Sequence, residues 1–212
     1  MMMRNILAGL LLILSSHVMA GGVSNNQFKP TMENIPALNA SKIEVIELFW
    51  YGCPHCYQLE PTLEAWVKKL PADVSFRRVP GIPRADWEPM ARTYYAMEAL
   101  KLTDKLHGKL FEAIHKQKAF DPRDKNAAIA WLTRESGLDT KKVEGAYNSF
   151  SNNTEITKAV KIFRSSGATG VPSLIIDGKY VSSTTIAGGN LELIEVADYL
   201  IAETRKERAA GK

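Results

Sequence analysis

The chain predicts an α/β domain into which a block of helices is inserted, and three observations predict it. A strand with apolar residues on both faces, Lys42 to Trp50, runs directly into a helix that carries both cysteines of the 212 residues. Five helical segments follow with no strand between them, and strand pattern returns after Gly167 as a hairpin and a last helix. The two flanks hold too few strands to form separate sheets, so a single interrupted domain is expected.

The segment 1–20 precedes this domain. Arg4 gives a positive start, Ile6 to Leu14 an apolar core, and Val18-Met19-Ala20 small residues at −3 and −1 of a cut before Gly21. That is the pattern of a cleaved secretory signal peptide. A spanning helix needs roughly 20 predominantly apolar residues, and Ser15, Ser16 and His17 interrupt this run. No later segment is apolar enough to span, so a soluble, exported protein in an oxidising compartment is expected. Removing Arg4 leaves 26 basic against 23 acidic residues, a net charge of +3. This is too mild a charge to argue for a nucleic-acid partner.

Lys42 to Trp50 reads as a central strand because apolar residues occupy both parities around Glu47. After Tyr51-Gly52 and Cys53-Pro54-His55-Cys56, the residues Tyr57, Leu59, Leu63, Trp66, Val67 and Leu70 recur at helical spacing, with Pro61 inside and Pro71 near the end. Pro54 suits a first-turn position, where its missing N–H costs little. Val74 to Val79 is a second strand, and Pro80-Gly81-Ile82-Pro83 breaks regular structure. The helical block comprises Met90 to Leu100, Thr103 to His115, Asn126 to Ser136, Val143 to Phe150 and Thr154 to Ser165. Ser173 to Ile176 and Lys179 to Val181 then flank Asp177-Gly178, a dipeptide that closes two-residue hairpins. Gly188-Gly189-Asn190 opens the last helix.

The two cysteines, separated by two residues at a helix start, form a redox centre. A helix N-terminus offers unpaired N–H groups and the positive end of a dipole, so a thiolate at Cys53 is stabilised there. His55 can add a hydrogen bond or positive charge to the same sulfur. Stabilising the thiolate stabilises the dithiol and makes the disulfide an oxidant. A purely structural disulfide is disfavoured, because so small a ring gains less than the ~3 kcal/mol of a 15-residue loop. Zinc needs four ligands, and only His107 and His115 remain to join the pair, at the wrong spacing. No metal or cofactor is expected, and these two histidines are expected on helix surfaces. A protease-like lone nucleophile leaves Cys56 unexplained.

Glu47-Leu48-Phe49-Trp50-Tyr51-Gly52-Cys53-Pro54-His55-Cys56-Tyr57, together with Gly170-Val171-Pro172-Ser173 and Asp177-Gly178-Lys179-Tyr180, resembles the DsbA family of bacterial periplasmic disulfide oxidases. The resemblance spans essentially the whole chain after residue 20. It implies a thioredoxin fold with an inserted helical domain: 21–85 and 160–212 thioredoxin-like, 86–159 the helical insertion. It implies a thiol:disulfide oxidoreductase in the periplasm that donates a Cys53–Cys56 disulfide to newly exported, reduced polypeptides through a mixed disulfide at an exposed Cys53, with Cys56 buried. It further implies recycling by a quinone-linked membrane oxidase of the DsbB type, and a monomer is expected. The Val171–Pro172 bond is implied to be cis and beside the cysteines, leaving Val171 backbone free to pair with an extended substrate. Glu47 matches a buried acid of the family that moves a proton to or from Cys56. The family tends to place a lysine on the next strand, where this chain has Arg77-Arg78. The competing readings are an exported isomerase or reductase on the same fold, and a peptide-binding module with incidental cysteines. A segment of about 20 residues before the first central strand is too short for an isomerase's dimerisation domain, and valine before the proline is the family's oxidase pattern.

Overall fold

The computed structural model describes residues 22–211, so the expected signal peptide at 1–20 lies outside the described residues. Five strands form one mixed sheet: β1 (Lys29–Pro30), β2 (Ile43–Phe49), β3 (Val74–Pro80), β4 (Ser173–Ile176) and β5 (Tyr180–Ser183), in the order β1-β5-β4-β2-β3. The central β2 is parallel to β3 and antiparallel to β4. All seven of its residues are buried, as its two-sided apolar pattern requires. The edge strand β1 was absent from the sequence expectation. It is two residues long, pairs only with β5, and carries Pro30, which an edge tolerates.

Helix α1 (Pro54–Val67) follows β2, and a 3-10 turn (Ala85–Trp87) follows β3. The helical block is α2 (Glu88–Ala99), α3 (Thr103–His115), α4 (Lys125–Ser136), α5 (Thr140–Tyr147) and α6 (Phe150–Ser166), and the chain closes with α7 (Thr184–Ala187) and α8 (Asn190–Ala209). Five helices in the block were expected. Their boundaries move where caps override apolar periodicity. Asp139 accepts from Lys141 N–H and starts α5 early, and Ser149 accepts from Asn152 N–H and starts α6 at Phe150. Phe150, expected as the last residue of the fourth segment, is instead the first of α6 and is 86% exposed. Among the described residues, no helix is long and apolar enough to cross a membrane.

Alternation along β2 decides what each sheet face holds. Ile43 and Val45 pack with Leu59 and Leu63 of α1 and with Leu193, Val196 and Leu200 of α8. Ile46 and Leu48 pack on the opposite face with Ile156 and Ala159 of α6. Glu47 shares the parity of Val45 and therefore lies on the α1 side. A third cluster joins Phe49, Tyr51 and both cysteines to Met90, Tyr94, Leu106, Leu110 and Phe111 of the helical block. The insertion therefore walls the cysteine pair.

The hairpin between β4 and β5 differs by one residue from expectation. Asp177 and Gly178 both have positive φ, 53° and 66°, and Lys179 N–H bonds to Ile176 O at 3.0 Å. Yet Ile176 pairs with Tyr180, so the loop holds three residues. Asp177 N–H is taken by Glu44 O at 2.8 Å, and Gly178 O accepts from Ile35 N–H at 3.1 Å. The turn is thereby pinned by β2 and by the N-terminal segment. A Cβ at Gly178 would overlap the Ile35 carbonyl, and its left-handed backbone alone costs another residue type about 1–2 kcal/mol. Gly178→Ala is therefore expected to lower stability by at least that amount. Urea unfolding checks this: the midpoint should fall with the thiol chemistry of the folded protein unchanged.

Candidate active site

The sheet delivers the cysteines through a short turn. After β2 the chain passes Trp50, Tyr51 and Gly52, and Cys53 N–H bonds back to Trp50 O at 2.9 Å. The Trp50 ring lies over Gly52, where a Cβ would overlap it. That ring stacks on Trp87 at 4.2 Å and 6°, with the Arg123 guanidinium 5.5 Å above it. The turn is thus clamped to the helical block.

Cys53 is the N-cap residue of α1 and Pro54 occupies its first turn. Both cysteines are free thiols, and Cys53 is 9% exposed against 0% for Cys56. The expected contrast of an open and a covered sulfur is present, but Cys53 shows only a sliver of surface. Its Sγ–H donates to Val171 O at 3.5 Å. The hydrogen bond from the Cys56 thiol, then the backbone N–H groups of Cys56 and His55 and the charge of His55, lower Cys53 to about 6 against the opposing effect of burial. Burial first, and then that same thiol–thiol bond, push Cys56 well above the ordinary thiol range. The His55 side chain is exposed and its Nδ1 faces Gln58 Oε1 at 3.3 Å. Of the two expected contributions of His55, the charge therefore comes from the side chain and the hydrogen bond to the sulfur from the backbone.

The Val171–Pro172 bond is cis, and the 3.5 Å contact from Cys53 to Val171 O places it against the cysteine pair. Among the described residues, Val171 N–H has no hydrogen-bond partner. Pro172 is buried and leads into β4.

Beneath α1, Glu47 is wholly buried. Its cross-strand neighbour is Arg78, whose Nε lies 3.0 Å from Glu47 Oε2. That contact lacks hydrogen-bond alignment, since neither Glu47 oxygen has a hydrogen-bond partner. Burial raises Glu47 to about 8, Arg78 opposes the rise, and Glu60 and Glu64 add to it. Arg78, rather than Arg77, is therefore the arginine that faces Glu47. Arg77 points to the other sheet face and bonds Glu44 at 3.0 Å.

The structure adds residues that sequence reasoning missed. Arg78 Nη2 also meets Glu60 at 3.2 Å and Glu64 at 2.6 Å. His107, expected on the surface, is buried; its Nε2 faces Glu60 at 3.2 Å and its Nδ1 faces the Tyr51 hydroxyl at 2.6 Å. His115 is likewise not a free surface group: its Nε2–H donates to Tyr51 O at 2.7 Å and its ring stacks on Tyr57. The signal for His107 was present, because positions 107, 110, 111 and 114 form one i, i+3, i+4, i+7 stripe.

Comparisons with known proteins agree with this geometry. A family model described as a DSBA-like thioredoxin domain matches residues 72–200, a span that includes Val171-Pro172 and begins after the cysteines. The thiol:disulfide interchange protein DsbA of Pseudomonas aeruginosa is 41% identical over 180 residues, covering 84% of this chain and 82% of the relative. The protein of the same name from Azotobacter vinelandii is 39% identical over 181 residues, covering 84% and 83%. The crystal structure of Pseudomonas aeruginosa DsbA superposes with a TM-score of 0.79 at 37% identity, over 88% of this chain and 95% of that one. An oxidoreductase DsbA from Xylella fastidiosa gives 0.80 at 25% identity, over 87% and 98%.

Thiolate absorbance near 240 nm should show one group titrating near pH 6 in the reduced protein, absent from Cys53→Ser and retained in Cys56→Ala at a higher midpoint, since the Cys56 hydrogen bond is then lost. The sign for stability follows. A folded value of about 6 lies below that of an unfolded thiol, so the reduced fold gains stability above the unfolded value near 8.5. That gain is lost as pH falls through about 6. A titration midpoint in the ordinary thiol range would contradict the assignment.

Proposed function

Because this chain belongs to the DsbA family, a thiol:disulfide oxidoreductase family with an interrupted thioredoxin fold, we propose that Cys53, Cys56, Glu47, Val171 and Pro172 carry its reaction in distinct roles. The enzyme donates its Cys53–Cys56 disulfide to substrate proteins by way of a mixed disulfide. The observation that carries the assignment of roles is the unlike placing of the two thiols: Cys53 stands at the N-cap beside Val171 O and keeps some surface, which goes with a value lowered to about 6, whereas Cys56 is wholly covered on the same helical turn and is pushed well above the ordinary range.

A substrate thiolate attacks Cys53 Sγ of the oxidised enzyme. The new sulfur–sulfur bond forms as the Cys53–Cys56 bond breaks, and Cys56 leaves with the electron pair. A buried, high-pKa thiolate needs a proton at that moment. Glu47, raised to about 8, is protonated at neutral pH, lies on the face of β2 that α1 covers, and is the donor in this reading. A second substrate thiolate then attacks the substrate sulfur of the mixed disulfide, and Cys53 leaves as the stabilised thiolate. Two electrons pass from the substrate dithiol to the enzyme. Pro54 and His55 favour this second departure by setting the helix start and supplying backbone N–H and charge.

The Val171 N–H, unpaired among the described residues, is the group on which an extended substrate segment forms a backbone hydrogen bond, with Pro172 shaping that edge. The substrates in this reading are reduced, newly exported polypeptides in the periplasm. A quinone-linked membrane oxidase of the DsbB type restores the disulfide by accepting the two electrons. The apolar run at 1–20, with its small residues before Gly21, supports export.

Cys56→Ser whose Cys53 is first loaded with glutathione as a mixed disulfide should exchange with a reduced exported polypeptide and accumulate the enzyme–polypeptide mixed disulfide on non-reducing gels, glutathione leaving as its thiolate, whereas Cys53→Ser should accumulate none. A glutathione redox titration read by tryptophan fluorescence should give a midpoint well above the about −270 mV of thioredoxin. A midpoint near that value would make the protein a reductant.

Glu47→Gln should fold and slow disulfide donation at neutral pH by about 10-fold or more. In the unsubstituted protein, donation relative to this variant should decline as pH rises through about 8, where Glu47 loses its proton. Because burial raises the folded value, Glu47 favours the fold at low pH and loses that contribution as pH rises toward about 8. The Gln variant should therefore match or exceed the unsubstituted protein in urea resistance above that pH. A constant activity ratio across pH would remove Glu47 from the mechanism.

A further inference from the structure

His107 is the titratable side chain of the helical block that enters the polar layer under the cysteines. Its two ring nitrogens have chemically unlike partners. Glu60 is ionised, since His107 and Arg78 hold it below the ordinary carboxyl range against the effect of burial. An ionised carboxylate only accepts, so Nε2 carries the proton and donates to Glu60 Oε1 at 3.2 Å. Nδ1 then accepts from the Tyr51 hydroxyl at 2.6 Å. One neutral tautomer satisfies both contacts.

Arg78 faces three carboxylates with a single positive charge. Its Nη2 serves Glu60 and Glu64, and its Nε faces Glu47 at 3.0 Å. We propose that His107 is a positioning residue of the redox centre: its Nε2–H supplies Glu60 with a second donor, so that the Arg78 charge stays shared with Glu47. The proposal rests on the reading of Glu47 as the proton donor to Cys56. The charged and titratable groups facing Glu47 are Arg78 from β3, Glu60, Glu64 and Cys56 from α1, Tyr51 of the turn and Tyr94 of α2. Those around His107 are Glu60, Glu64, Arg78, Tyr51 of the turn and Tyr94 of α2, its ring centroid 6.4 Å away. The remaining walls are the rings of Phe49 and Phe111.

Without the imidazole donor, Glu60 retains only Arg78. Its full charge then draws the guanidinium away from Glu47, and the buried Glu47 carboxyl holds its proton more tightly. The pH at which Glu47-dependent donation declines should move upward. Two substitutions separate this effect from packing. In His107→Gln the amide nitrogen reaches the Nε2 position and can donate to Glu60. In His107→Asn the amide sits near Nδ1 and can meet only Tyr51.

The test is the pH profile of single-turnover disulfide donation to a dithiol peptide, with circular dichroism and the Cys53 thiolate absorbance confirming folding. Asn should shift the alkaline decline upward by about half a unit, about a threefold change in the protonated-to-ionised ratio of Glu47 at fixed pH. Gln should leave it within error of the unsubstituted protein. An unmoved decline in Asn, a downward shift, or equal shifts in both variants overturns the role of His107. Absence of any such decline in the unsubstituted protein overturns the Glu47 reading and this proposal with it. Nitrogen-15 resonances of the His107 ring in the unsubstituted protein give a second test that needs no substitution. They should report Nε2 protonated and Nδ1 bare, with both shifting as Glu47 titrates, and an averaged pair of tautomers overturns the proposal.

Discussion

A sulfur anion held at the first turn of α1 is the interaction on which the rest of the centre depends. Cys53 stands at the N-cap, where side chains ordinarily accept from the N–H groups two and three residues on. Those groups belong to His55 and Cys56, and Pro54, at the position just before them, lacks the N–H that no cap would use. As a neutral thiol Cys53 makes no cap bond, but as a thiolate it is served by both N–H groups and by the Cys56 thiol. The reduced protein therefore gains an interaction that the disulfide lacks. That difference is what makes the disulfide a donor.

The same geometry creates a problem one turn deeper. Cys56 lies on the buried face of the helix, where a thiolate is disfavoured, so in the proposed reaction a proton must be at hand when it leaves the disulfide. The strand below supplies a buried acid on the correct face because side chains alternate, and Glu47 shares the parity of Val45 and Phe49. Burying a carboxyl there is costly unless a charge compensates it. Arg78, directly opposite in the parallel pair, provides that compensation incompletely, since Glu60 and Glu64 also draw on it. The result is an acid raised to about 8 instead of a permanently ionised pair. The helical insertion is part of this balance: Trp87, His107, Phe111 and His115 close the turn and the polar layer from the side.

What was legible in the sequence was what local pattern encodes. The two-sided apolar run of β2, the cysteines at a helix start, the five helices and the Asp177-Gly178 turn all depend on neighbours within a few residues. What was illegible depends on distant pairing or on competition between signals. β1 is two residues long and exists only through β5. Phe150 carried the apolar mark of a buried position, yet the Ser149 cap set the helix start and left the ring in solvent. Arg78 could be placed against Glu47 only once the strand register was known, since Arg77 was an equal candidate. His107 was judged by its distance from His115 as a metal partner, and that spacing concealed its place on the buried stripe of α3.

Arginine at 78 has a consequence that a lysine there would not. Its planar fork presents separate N–H groups, which is how one residue meets Glu60 and Glu64 through Nη2 while turning Nε toward Glu47. A lysine is a compact point charge that moves to the strongest partner and can give up its proton when buried. Arginine does not release its proton, so it cannot pass one between Glu47 and the Glu60–His107–Tyr51 chain. The two halves of the polar layer are therefore joined electrostatically and separated protonically. In the proposed reaction Glu47 therefore exchanges its proton with Cys56, and the carboxylates and histidine on the far side of Arg78 influence that exchange by sharing its charge.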